Sequence, residues 1–175
     1  MNLWHDLSSE RVKCDDFLAV IEISKGTKKK YELDKETGYL ILDRILYTSM
    51  QYPASYGFIP KTYADDNDPL DVLVLCSEPI DPRVMVRCYP IGVLHMIDGE
   101  SYDEKIIAVP FGDPVYNTYS SIDKLPVHIS DEITHFFRVY KQLEKKITAV
   151  YEVEGCEAAK SIIQKAIEAY KETFG

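Results

Sequence analysis

The chain has 175 residues, 46% hydrophobic and 28% charged, with a formal net charge of −9. That length suits one ordinary domain, 1–175, which buries about 70% of its unfolded surface and needs no disulfide or structural metal to fold. The acidic balance argues against nucleic-acid binding, which requires a basic face, and no apolar run approaches the roughly 20 residues of a membrane span.

Residues 1–10 contain neither a positive n-region nor an apolar h-region, so no secretory signal is expected and the chain reads as cytoplasmic. Residues 17–23 form a continuous apolar run, consistent with a strand covered on both faces. Residues 30–33 and 39–46 flank a turn at 34–38 and predict a hairpin with a longer loop. Lys28 and Lys29, beside Lys30, fit a solvated hairpin edge. Further strands are predicted at 70–75, 84–88, 91–96 and 105–109, punctuated by Pro90, Pro110 and Pro114. Ile133, Phe136, Phe137 and Tyr140 then recur at helical spacing, with Ser130 or Asp131 as N-cap. After a break at Gly155, Ala159, Ile162, Ile163, Ala166, Ile167 and Tyr170 mark a second helix. Strands first and helices after predict an α+β fold, a closed or nearly closed sheet with helices against it. Cys14, Cys76, Cys88 and Cys156 lack C-x-x-C or zinc-finger spacing, and Cys76 after an apolar run reads as a buried free thiol.

The chemistry concentrates at Asp65, Asp66, Asp68 and Asp71, which run straight into the strand at 70–75. Carboxylates this close repel one another, and a cation among them removes the repulsion. Their hard oxygens suit magnesium, manganese or calcium rather than zinc. By strand alternation Asp71 shares a face with Leu73 and Leu75, at the mouth of the strand. An EF-hand fails here, because counting from Asp66 the sixth position is Asp71 instead of glycine and the twelfth is Ser77 instead of glutamate. An acidic turn capped by Pro69 is the plainer alternative.

A second acidic group spans 98–104, and alone it reads as a solvated loop between strands. Asp103 and Lys105, however, share a face with Ile107 and Val109. Glu22 likewise follows Leu18 and Val20, Lys30 and Glu32 share a face, and Arg44 continues the row of Leu40 and Leu42. Acids and bases on inward rows are costly unless they pair or bind something. Carboxylates with Lys, Arg and a few tyrosines fit metal-assisted phosphoryl transfer to water: divalent ions bridge phosphate oxygens and acidify water, and the cationic side chains neutralise the rest.

The run from Asp66 to Val72 resembles the signature of the family I soluble inorganic pyrophosphatases. Val20 to Ile23, Lys30 to Glu32, Asp43 with Arg44, Tyr52 with Pro53, Tyr56 with Gly57, Asp98 with Asp103 and Lys105, and Tyr140 with Lys141 are similar, in order, to that family's other site segments. The likeness covers residues 17–145 and implies hydrolysis of pyrophosphate to two phosphates. It implies several Mg2+ ions per site, with Mn2+, Co2+ or Zn2+ as substitutes. Asp66, Asp71 and Asp103 would hold the first ion, Asp71 shared with a second, and Asp98 and Asp103 would take one more. Asp68 would be the general base. Lys30, Arg44, Tyr56, Tyr140 and Lys141 would hold the phosphoryl groups, with Glu22, Glu32, Tyr52 and Lys105 in support.

The resemblance also implies a five-stranded barrel of oligonucleotide-binding type with additional strands, two C-terminal helices packed outside, and a homo-oligomer, a hexamer or something smaller. His135 falls in the helix that resembles a subunit-contact helix, although a lone helical histidine is more often packed or solvated. Asn67 stands where the family commonly has glycine, and asparagine tolerates such turns. Residues 111–117 and those after Lys146 diverge from the compact bacterial form. A nucleic-acid module on the same barrel would interleave aromatics with Lys and Arg, whereas this chain interleaves carboxylates. A hydrolase of a larger phosphate ester would need a pocket for the organic part. A calcium-binding structural protein would leave Lys30, Arg44 and Lys141 without a role.

Overall fold

Runs rich in β-branched and aromatic residues, separated by turn formers, make nine strands in a computed structural model that describes residues 1–175. In chain order they are β1 Val12–Lys13, β2 Asp16–Ile23, β3 Lys29–Leu33, β4 Leu40–Ile45, β5 Ser55–Ile59, β6 Leu70–Val74, β7 Met85–Asp98, β8 Ser101–Pro110 and β9 Thr148–Gly155. Two helices of more than one turn accompany them, α1 Val127–Val139 between β8 and β9, and α2 Cys156–Phe174 at the end.

The order β2-β5-β6-β8-β7 closes on itself through a β2–β7 pairing, so five strands form a ring. Only β6 and β8 run parallel among these neighbours. β9 extends the sheet beyond β7, β1 flanks β2, and β3 with β4 makes a separate hairpin. The expected α+β ring with helices against it is therefore present. β2 is paired on both sides and buried along nearly its whole length, as its unbroken apolar run requires. No helix is long and apolar enough to cross a membrane.

Several boundaries differ from the sequence reading. The strands expected at 84–88 and 91–96 are not two but parts of β7, which starts at Met85 and passes through Pro90 without a break. The register against β8 slips between Pro90 and Gly92, and such a bulge accommodates a residue with no N–H to donate. The acidic stretch at 98–104 is not a loop: Gly99, at φ +66, and Glu100 turn β7 directly into β8. α1 starts at Val127 behind Pro126 rather than at Ser130 or Asp131, which lie inside it. Proline at φ −52 already has a helical φ, and the exposed first turn offers no apolar stripe to announce it. Cys76 is half-buried rather than buried, and all four cysteines are free.

Alternation along the ring strands sorts the core into two bodies. Leu73, Leu75, Leu94, Met96, Ile107 and Val109 pack with Ile133, Phe136 and Phe137 of α1. Val72, Val74, Val93, Ile106 and Ala108 pack with Ala159, Ile163 and Ala166 of α2. Each large aliphatic side chain so buried contributes about 1.5–3 kcal/mol. The row that faces α1 also ends in Asp71 and in Lys105 with Asp103, so burial of that row delivers charged groups to one end of the sheet. Where β2 crosses β5, a Cβ on Gly57 would lie 1.8 Å from the Val20 carbonyl oxygen, which explains glycine in the middle of a strand.

In the divergent stretch after Pro110, Asp113 ties the chain back to the segment after β6. Asp113 accepts backbone N–H bonds from Ser77 at 2.6 Å and Val115 at 2.9 Å. Burial opposes its charge, but these bonds win and hold the carboxyl down at about 2.

Candidate active site

A cavity of about 510 Å³ opens where the acidic turn before β6, the β3–β4 hairpin, the β7–β8 turn and the end of α1 meet. Asp66, Asp71 and Asp103 converge there, with one carboxylate oxygen from each within 4.8 Å of the others. The turn that aims them depends on Asn67, which adopts φ +65, and on the Asp68 N–H donating to Asp66 Oδ1 at 3.1 Å. Asparagine enters this left-handed region more readily than most residues, so it serves where glycine would otherwise be expected.

Lys105 sits beneath the trio and is 2% exposed. Its Nζ donates to Tyr56 Oη at 2.9 Å, Asp71 Oδ2 at 3.0 Å and both Asp103 oxygens at 3.1 Å. Burial works against this charge, but Asp103 and Asp71 more than compensate, and the ammonium stays protonated well above its usual range. Burial raises the carboxyls of Asp71 and Asp66 as well; Asp103 adds to both rises and Lys105 opposes them. Three hard-oxygen carboxylates, two of them lifted by burial, with one lysine against them, leave a shortfall of positive charge that a divalent ion fits.

The remaining expected residues fall around this centre. Asp68, Asp98, Glu22, Glu32, Lys30, Tyr56, Tyr140 and Lys141 all line the cavity. Lys141 pairs with Asp98, and Lys30 Nζ bonds Glu32 at 3.2 Å and Asp43 at 2.9 Å. Arg44 and Tyr52 do not line it. Arg44 turns to Asp43 and to Glu144, with Nε 2.8 Å from Glu144 Oε1, yet its buried Nε and Nη2 make no hydrogen bond. Tyr52 is buried in the core, with its ring centroid 5.7 Å from Tyr56 and 4.9 Å from Phe136; it backs the wall by packing and bonds no carboxylate.

Glu22 is 7% exposed and accepts the Leu33 N–H at 2.7 Å. Burial, and then the nearby Asp71, raise its carboxyl to about 8. The folded protein therefore holds this proton more tightly than the unfolded chain does. The resulting stability is complete below the unfolded value of 4.5 and is lost as pH rises through about 8. Glu22→Gln removes that loss while keeping an acceptor for Leu33. With chelator present, the variant should melt higher than the wild type near pH 9, and the difference should vanish near pH 5. Melting curves at the two pH values check both the effect and its sign.

Other cavity residues carried little signal in the sequence. Trp4, Asp34 and Lys35 line it, and Lys35 pairs with Asp68. Asp43 and Glu144 brace Lys30 and Arg44 from behind. A lone lysine in a turn and a tryptophan near the chain start have no periodic or paired pattern, so only the fold brings them to the site.

Residues 19–171 match the model of the family described as inorganic pyrophosphatase. The inorganic pyrophosphatase of Aquifex pyrophilus is 47% identical over 171 residues, covering 96% of this chain and 97% of that one. Soluble inorganic pyrophosphatase 2 of Chlamydomonas reinhardtii is 46% identical over 171 residues, 98% of this chain and 89% of that protein. The crystal structure of the Thermus thermophilus inorganic pyrophosphatase superposes with a TM-score of 0.93 at 36% identity, covering 98% and 99% of the two chains.

Proposed function

This chain belongs to the inorganic pyrophosphatase family, whose members hydrolyse pyrophosphate to phosphate, and from that membership we propose how its side chains divide the work. The observation that carries the reading is the convergence of Asp66, Asp71 and Asp103 opposite the cations of the hairpin and of the α1 end. Those three carboxylates hold divalent metal, with Asp98 beside Asp103 for a further ion; Mg2+ is the ion we assign, with Mn2+, Co2+ or Zn2+ as substitutes. When bound, such ions neutralise phosphate oxygens and make water a better nucleophile.

Asp68 accepts the proton of the attacking water. It lines the same cavity but stands outside the converging trio, so its oxygens are available to a base role. Lys30, Tyr56, Tyr140 and Lys141 hold the phosphoryl groups. We assign Arg44 to the same anion through its buried, unpartnered Nη2, with its side chain swinging from Asp43 and Glu144 into the cavity that it does not line without substrate. Lys105 holds Asp71 and Asp103 in place from below, and Glu22 and Glu32 support metal or water in the outer part of the site. The cavity is lined largely by charged groups, which favours a small inorganic anion over a substrate with an organic part.

We read 1–175 as one catalytic domain that works in the cytoplasm, a location its four free cysteines support. We assign no nucleic-acid or membrane partner. We read the assembly as a homo-oligomer, a hexamer or smaller, with the exposed Val127 and His135 of α1 available to a neighbouring subunit. The test of the function is phosphate release from pyrophosphate by the purified protein. Rapid release with Mg2+ that chelator abolishes is the expected result. No release with Mg2+, Mn2+, Co2+ or Zn2+ would overturn the assignment.

A further inference from the structure

We infer that Lys35 is a further substrate-binding residue: its ammonium rests on Asp68 until divalent ions neutralise the acidic mouth, then passes to a phosphoryl oxygen of the incoming substrate. The inference rests on the metal and base reading above. It begins with the turn between β3 and β4, which is held rigid. Asp34 accepts the Thr37 N–H at 3.1 Å, and its own N–H donates to the Tyr39 carbonyl at 2.8 Å. Gly38 adopts φ +75 against the chain start, where a Cβ would meet the Met1 carbonyl oxygen at 2.6 Å. Asn2 Nδ2 donates to the Lys35 carbonyl at 3.0 Å. The Lys35 backbone is thereby fixed at the cavity rim, and only its four-carbon side chain is free to swing.

The ammonium has two contacts. It pairs with Asp68 across the cavity and lies 5.4 Å from the centroid of the Trp4 ring. Trp4 is itself immobile, 4% exposed, with Nε1 bonded to the Thr62 carbonyl at 2.8 Å. Thr62 Oγ1 in turn accepts the N–H of Leu70, the first residue of β6, so the ring that carries Lys35 is tied to the strand that carries Asp71.

Charge and mobility single Lys35 out. Eight carboxylates and four lysines line the cavity. Lys105, Lys141 and Lys30 have side chains only 2%, 14% and 22% exposed and held by carboxylates, whereas Lys35 is 52% exposed and its partner Asp68 48%. An ion pair so open to water holds only weakly, so a polyanionic phosphate beside bound divalent ions readily draws the ammonium away. Departure of Lys35 also leaves the Asp68 carboxylate uncovered for the attacking water. Substrate arrival and availability of the base are thus linked through one side chain.

Lys35→Met and Lys35→Arg, in the full chain, test this. Lys35→Met should raise KM for pyrophosphate about tenfold with kcat within about twofold, while Lys35→Arg stays close to the wild type. Trp4 is the only tryptophan, so its emission reports the ammonium directly. Addition of Mg2+ with methylenediphosphonate, which the enzyme cannot hydrolyse, should shift wild-type emission and leave Lys35→Met unmoved. An unchanged KM would overturn the inference, and so would an equal emission shift in Lys35→Met. A fall in kcat alone would also overturn it, because Lys35 would then only steady Asp68. If Asp68→Asn retains full turnover the base reading fails by itself, while the KM and emission results still decide on Lys35.

Discussion

Asp68→Asn should hydrolyse pyrophosphate about 10²–10⁴-fold more slowly than the wild type, with its fold and divalent-ion affinity preserved. The expectation follows from what the carboxylate does and does not touch. Asp68 lies on the same turn as Asp66 and faces the same cavity, but its oxygens do not join the cluster of Asp66, Asp71 and Asp103. It is half exposed, and its only side-chain partner is Lys35. An amide of the same shape keeps the turn, because that turn relies on the Asp68 backbone N–H and on Asn67. It cannot take a proton from water. Steady-state turnover together with calorimetric Mg2+ titration separates the two properties. Full turnover in the variant would remove Asp68 from the base role, and lost Mg2+ affinity would make it a ligand instead.

Much of this site is legible before any coordinates because strand alternation is a strict rule. Asp71 follows the parity of Leu73 and Leu75, and Lys105 that of Ile107 and Val109, so placing those strands places the charges. The acidic turn is equally visible, since four aspartates in seven residues have no comfortable arrangement without a cation. The β3–β4 hairpin announces itself by Asp34 and Gly38, both of which shape the turn.

What sequence does not disclose depends on distant neighbours. β5 is only five residues with a glycine in the middle, and Gly57 makes sense only once the Val20 carbonyl is seen against it. Pro90 reads as a strand breaker because nothing local says that β7 leaves the β2 pairing there and continues beside β9. β9 is an edge strand with exposed Tyr151 and Glu152, too weakly alternating to separate from a loop. At the site, Arg44 reads as cavity-facing from its parity with Leu42, but Leu42 is exposed and it is Ile41, of the opposite parity, that lines the cavity. Glu144, which receives Arg44, lies in a one-turn helix with no pattern of its own.

Lys105→Met should destabilise the chelated protein by about 3–5 kcal/mol, and Mg2+ should restore part of the loss. Lys105 is buried with Asp71 Oδ2 at 3.0 Å and Asp103 Oδ1 at 3.1 Å, and it holds the Tyr56 hydroxyl at 2.9 Å. A methionine fills the space but leaves two desolvated carboxylates facing each other without a counterion. They can respond by taking up protons or by taking a metal ion, since Asp71 and Asp103 are two of the three converging carboxylates. The rise in melting temperature on adding Mg2+ should therefore be larger in Lys105→Met than in the wild type. Adding Asp71→Asn should recover stability without Mg2+, because it removes one of the stranded charges. Equal Mg2+ responses in variant and wild type, with a loss under about 1 kcal/mol, would mean that Lys105 only fills space. The larger response would show that the buried lysine and the metal answer the same excess of negative charge, so that stability without metal and the capacity to bind it derive from one cluster of carboxylates.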